Sequence, residues 1–117
     1  MPQFLLIAEF ADKKIGFIIG IFEEENEARL LVDPVMKEFE AYSLNSLVEI
    51  PPYYYKKYQS YDFTGDEYFQ SCKKYSDRYS SSNGDLTVNV IRFDGKFDFS
   101  AFLEYRNLPT YYGAMMN

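Results

Sequence analysis

The chain has 117 residues, 18 acidic and 12 basic, for a formal net charge of −6, with one cysteine and neither histidine nor tryptophan. That length suits one domain around one core, and 47% apolar with 26% charged residues is a globular rather than a disordered balance. An internal disulfide, multi-cysteine metal sites and nucleophiles activated by histidine are excluded, and the negative charge disfavours non-specific contact with nucleic acid or anionic lipid.

No apolar stretch reaches the roughly 18–20 residues that a bilayer requires, and Met1-Pro2-Gln3 lacks the positive flank of a signal peptide. A single cytoplasmic domain over 1–117 is therefore expected. Residues 3–10 (QFLLIAEF) and 15–22 (IGFIIGIF) are β-rich runs joined by the polar link Ala11-Asp12-Lys13-Lys14, which predicts a hairpin. The second run is apolar on both faces and so belongs inside a sheet, and Gly16 and Gly20 mark a bulge or a close approach.

Glu23-Glu24-Glu25 places carboxylates where they complement the positive end of a helix dipole. Ala28, Leu31, Val32, Val35 and Phe39 continue at helical spacing, so a helix over 23–40 is expected, broken near Pro34, with Asp33 as the cap of a second piece. Residues 42–50 (YSLNSLVEI) turn β-like and stop at Pro51-Pro52. Residues 53–63 (YYYKKYQSYDF) carry five tyrosines and a phenylalanine, and read as a strand or an ordered loop. Thr64-Gly65-Asp66-Glu67 matches a capping box, and Tyr68, Cys72, Tyr75 and Tyr79 follow at helical spacing, which predicts a helix over 65–79.

Ser80 to Gly84 is a polar loop. Residues 86–91 then alternate as a strand, Asp94-Gly95 suits a tight hairpin turn, and 97–105 alternate again, with a short helix capped by Ser100 as the rival reading. The tail, 108–117, reads as irregular. The expected fold is α+β: a mainly antiparallel sheet of two hairpins (3–22 and 86–103) with helices over 23–40 and 65–79 on one face. The strand, strand and acidic-helix opening, about thirty residues, resembles that of many small bacterial and phage proteins.

Chemistry-bearing clusters resolve into structural roles. Neighbouring lysines could activate Cys72, but its helical spacing with Tyr68 and Tyr75 favours a core position. The run Glu23 to Glu27 reads as a helix start and the group Asp62-Asp66-Glu67 as a cap, and neither repeats the oxygen ligands of a calcium loop. The six scattered glycines form no phosphate loop. No catalytic residue, metal or cofactor is expected.

The tyrosine run stands out, since tyrosine offers large contact area at low entropic cost and is enriched in binding surfaces. Tyr53, Tyr54, Tyr55, Tyr58, Tyr61 and Asp62, with Glu23 and Glu24, are the candidate partner-binding residues. In an extended run Tyr55, Tyr61 and Phe63 share one face, and Tyr54 and Tyr58 the other. Two readings compete: a contact surface, in which Tyr54 and Tyr58 could be removed at little cost to stability, or a tyrosine-filled core. Base stacking beside Lys56 and Lys57 is disfavoured by the net charge.

In size, acidity and lack of catalytic residues the chain is similar to phage proteins that block bacterial defence systems, anti-CRISPR proteins among them, and to bacterial immunity proteins against nuclease toxins. That likeness implies a non-catalytic inhibitor that occupies the basic, nucleic-acid-handling face of an enzyme. An immunity protein or antitoxin is the alternative within that class. A second class is a small-ligand or nucleotide-signal binder, within one chain or at a dimer interface, with an aromatic cleft and cations such as Arg78, Arg92 or Arg106.

Overall fold

The first apolar run, QFLLIAEF, alternates between two sets of large side chains and has no polar face, so it is stable only when covered on both sides. It forms β1 (Gln3–Phe10), the central strand of a five-stranded sheet. The computed structural model describes residues 3–11, 13–43, 49–80, 85–93 and 101–102, with the backbone alone at 64 and 72–76. Along it follow β2 (Ile15–Phe22), α1 (Glu25–Arg29), α2 (Val32–Glu40), α3 (Pro52–Lys57), β3 (Gln59–Tyr61), a 3-10 turn (Phe63–Gly65), α4 (Glu67–Cys72), β4 (Lys73–Ser80) and β5 (Leu86–Phe93). The strand order is β3-β2-β1-β5-β4, and every pairing is antiparallel. The fold is α+β, as expected.

The opening hairpin forms as its pattern predicts. Leu6 faces Gly20 but Ile7 faces Ile18, so Ile19 is the extra residue of a bulge. Gly16 is the close approach: a Cβ there would lie 3.0 Å from the Phe63 ring and 3.2 Å from Glu9 Cγ. Lys14 closes the hairpin turn with φ 50°, in the left-handed region.

The helices cover both faces of the sheet rather than one. Phe4, Leu6, Ala8, Phe10, Phe17, Leu86, Val88 and Val90 pack with Ala28, Val32, Val35 and Phe39 of α1 and α2. Leu5, Ile7, Ile18, Ile91 and Phe93 pack instead with Phe63, Phe69 and Phe102. A fully buried Leu, Ile or Phe contributes about 1.5–3 kcal/mol. With β1 apolar on both sides, a second cover is therefore worth more than leaving one face wet.

Other boundaries move for local reasons. The first helix breaks at Leu30-Leu31, three residues before Pro34, which sits in the first turn of α2, where a missing amide hydrogen costs no helical bond. Leu31 rather than Asp33 takes the cap position, and its carbonyl accepts from the Val35 amide at 3.0 Å. Of the β-like 42–50, Tyr42 and Ser43 lie in a turn and Glu49 and Ile50 are not strand, while 44–48 lie outside the described residues.

The helix expected over 65–79 is cut in half: α4 ends at Cys72 and β4 continues to Ser80. Tyr75 and Tyr79 are four apart, a spacing that fits one face of a strand as well as one face of a helix, and pairing with β5 decides between them. The second hairpin is therefore β4–β5, closed through 81–85, rather than 86–103. Both edges of β5 are taken, by β1 from Gln3 to Phe10 and by β4 from Lys73 to Ser80, and of the strand expected over 97–105 only 101–102 are among the described residues. Ala101 and Phe102 are helical, in line with the rival reading there. The Asp94-Gly95 turn, the Ser100 cap, Arg106, the tail and the Cys72 side chain lie outside the described residues. No described helix is long and apolar enough to cross a membrane.

Candidate functional site

Pro51-Pro52 does more than stop what precedes it. Proline at a first helical position has its φ already set and loses no bond, and α3 starts at Pro52, with the Tyr54 amide donating to the Pro51 carbonyl at 3.1 Å. The tyrosine run is thus a short helix followed by a strand, neither fully extended nor a loop. It ends at Tyr58, whose extended backbone leads into β3.

On the helix Tyr54 and Tyr58 share one side, as they would in an extended chain, and that side faces the sheet. Tyr54 and Tyr58, one turn apart, lie against the Phe39 ring at 4.9 and 5.9 Å between centroids, and Tyr42 adds an edge contact to Tyr54 at 5.6 Å. Phe39 in turn stacks on Phe17 at 5.6 Å and meets Phe10 at 6.0 Å. Burial pushes the Tyr54 phenol up to about 12 and also raises Tyr58. Tyr54 and Tyr58 are therefore packing residues, and the expectation that they can be removed at little cost is corrected.

Tyr53 and Tyr55 turn outward, 59% and 43% exposed. Tyr55 keeps an edge against Phe17 at 5.2 Å and Tyr53 one against Tyr54 at 5.4 Å, so both are held at the base. Lys57 Nζ lies 5.7 Å above the Tyr53 ring and 5.1 Å above Tyr58, within cation-π reach, and 3.9 Å from Glu38 Oε2. The neighbouring Tyr58 hydroxyl leads the effects that raise the Lys57 ammonium.

The remaining candidates lie on other elements. The Tyr61 hydroxyl donates to Asp66 Oδ2 at 2.8 Å, and the other Asp66 oxygen accepts from the Phe69 amide at 2.9 Å. Asp66 is thus the N-cap of α4, while Thr64 sits in the preceding 3-10 turn. Glu23 and Glu24 are exposed on the connection into α1. The acidic helix is tied down by Arg29, which bonds Glu25 on its own helix and both Asp77 and Tyr79 on β4. These partners, Glu25 first, hold the guanidinium well above its ordinary range and firmly charged.

Sequence patterns pass over one further place. Glu9, Lys14, Asp62, Arg78, Thr87 and Asn89 line a cleft of about 140 Å³ at the hairpin end of the sheet, over the face covered by Phe63. Asn89 Nδ2 donates to Glu9 Oε1, and Asn89 Oδ1 is buried with no partner. The available signal was one amide side chain inside an otherwise apolar strand. Among the described residues no group of three or more Cys, His, Asp or Glu side chains could hold a metal. No family model, curated protein or solved structure matches the chain.

Proposed function

We propose that this domain is a non-catalytic binding protein whose contact surface is the outer side of α3, centred on Tyr53 and Tyr55. One observation carries the reading: two exposed tyrosines stand on a helix whose other tyrosines are packed on Phe39. Exposed aromatics fixed in this way lose little freedom on binding, the property that makes tyrosine effective in interfaces. A net charge of −6 favours a basic partner. The inhibitor that occupies the nucleic-acid-handling face of an enzyme, in the manner of phage anti-defence or immunity proteins, is the form of this reading that the composition suits.

The cleft does not favour the nucleotide-signal alternative. Its volume of about 140 Å³ is well below the roughly 300 Å³ at which drug-sized ligand pockets begin. The test is a double variant. Tyr53→Ala with Tyr55→Ala should abolish capture of the partner from host lysate while moving the melting temperature by no more than a few degrees. Unchanged capture by that variant would remove α3 from the interface.

A further inference from the structure

The cleft at the hairpin end of the sheet holds two kinds of unmet bonding capacity. At its floor Asn89 is only 3% exposed; its amide nitrogen serves Glu9, and its Oδ1 has no donor. A buried acceptor left without a partner costs about 1–3 kcal/mol, so a ligand that supplies a donor there gains what the free protein lacks. At the rim Lys14 and Arg78 are both exposed, and neither side chain has an ion-pair or hydrogen-bond partner among the described residues. Carboxylates outnumber cations in this chain, which makes two unengaged cations at one cleft informative.

These requirements meet in one small space. The floor asks for a hydrogen-bond donor and offers the Glu9 carboxylate beside it, which favours a cationic donor. The rim asks for an anion and offers a guanidinium suited to bidentate contact with a carboxylate. Arg78 stands directly opposite Asn89 in the β4–β5 register, so a carboxylate on the guanidinium brings a neighbouring ammonium over the carboxamide. A cleft of about 140 Å³ is well below the roughly 300 Å³ at which drug-sized ligand pockets begin, so the ligand is a small one.

We propose that this cleft binds a small zwitterion of the α-amino acid class, with its ammonium at Asn89 and Glu9 and its carboxylate at Arg78 and Lys14. The site is independent of the tyrosine surface on α3, and its test involves no protein partner. Titration of the full chain with glycine or L-alanine, followed through the Asn89 side-chain amide by nuclear magnetic resonance, is expected to give a saturable shift. Acetate and methylammonium, each carrying half of the ligand, should bind at least tenfold more weakly.

Arg78→Gln, at an exposed position where folding is not at stake, should weaken glycine at least tenfold. Asn89→Leu should abolish the binding if it folds, and the Arg78 variant stands as the test if it does not. Acetate binding as tightly as glycine would reduce the site to an anion hole. Methylammonium binding as tightly would reduce it to a cation site. Either result, or no saturable shift with glycine and L-alanine, overturns the proposal.

Discussion

On one face of the sheet Phe39 gathers Phe10, Phe17, Tyr54 and Tyr58 into a single aromatic stack. On the other face Phe69 gathers Phe63, Phe93 and Phe102, but two carboxamides are buried there, Gln59 at 1% and Asn89 at 3% exposure. Both side-chain heteroatoms of Gln59 and the oxygen of Asn89 meet no partner. The first face adds tyrosines to its phenylalanines, rings that carry a polar hydroxyl on an apolar body. The second is centred on phenylalanines, with Tyr61 at its edge, and leaves two carboxamides inside. The difference separates a face built for rigidity, which holds the exposed Tyr53 and Tyr55 in place, from a face with unmet bonding capacity, where the cleft opens.

The largest test of this contrast is Phe39→Ala. Removing a fully buried phenylalanine from four ring contacts should cost about 3–5 kcal/mol, read from urea unfolding. It should also loosen α3, seen as faster amide exchange at 54–58. A loss below about 1 kcal/mol would show that the stack does not hold the first face together.

Gln59→Met probes the second face with the opposite sign. A near-isosteric apolar side chain removes two buried atoms that lack partners, so the variant should be more stable than the parent by about 1 kcal/mol in the same unfolding experiment. Destabilisation instead would mean that the carboxamide is satisfied in solution, by a buried water for example, and that the two faces differ less than their packing indicates.

The legible parts of the fold are those where the local signals agree. The hairpin of β1 and β2, the bulge near Gly20 and the close approach at Gly16 follow from two short, β-rich apolar runs joined by a polar link and from glycines inside strands. The segment 73–80 was ambiguous because its tyrosines lie four apart. The hairpin beyond Asp94-Gly95 rested on a sound local turn signal, but pairing is global, and β1 and β4 already occupied both edges of β5. At α3 the aromatic residues carry strand propensity, while the decisive helix-start signal, Pro52 followed by a free turn, read equally well as a stop. Residue type made the tyrosine run visible. Which of its members face outward depended on Phe39, contributed by a helix about fifteen residues earlier.

The smallest effect concerns pH and tests the tyrosine side of the contrast directly. Burial holds the Tyr54 phenol at about 12 and raises Tyr58 as well, whereas an unfolded tyrosine ionises near pH 10. Between about 10 and 12 the folded protein keeps a proton that the unfolded chain has lost, so stability falls as pH rises. Lys57, also raised, acts in the same direction. Below the ordinary tyrosine range this contribution is fully present and flat. Melting curves from pH 8 upward should therefore show a decline that starts near pH 10, and Tyr54→Phe, which has no phenol to ionise, should decline less steeply. Equal slopes for the variant and the parent would place the Tyr54 hydroxyl in solvent, and α3 would then lack the fixed inner side on which its outer tyrosines depend.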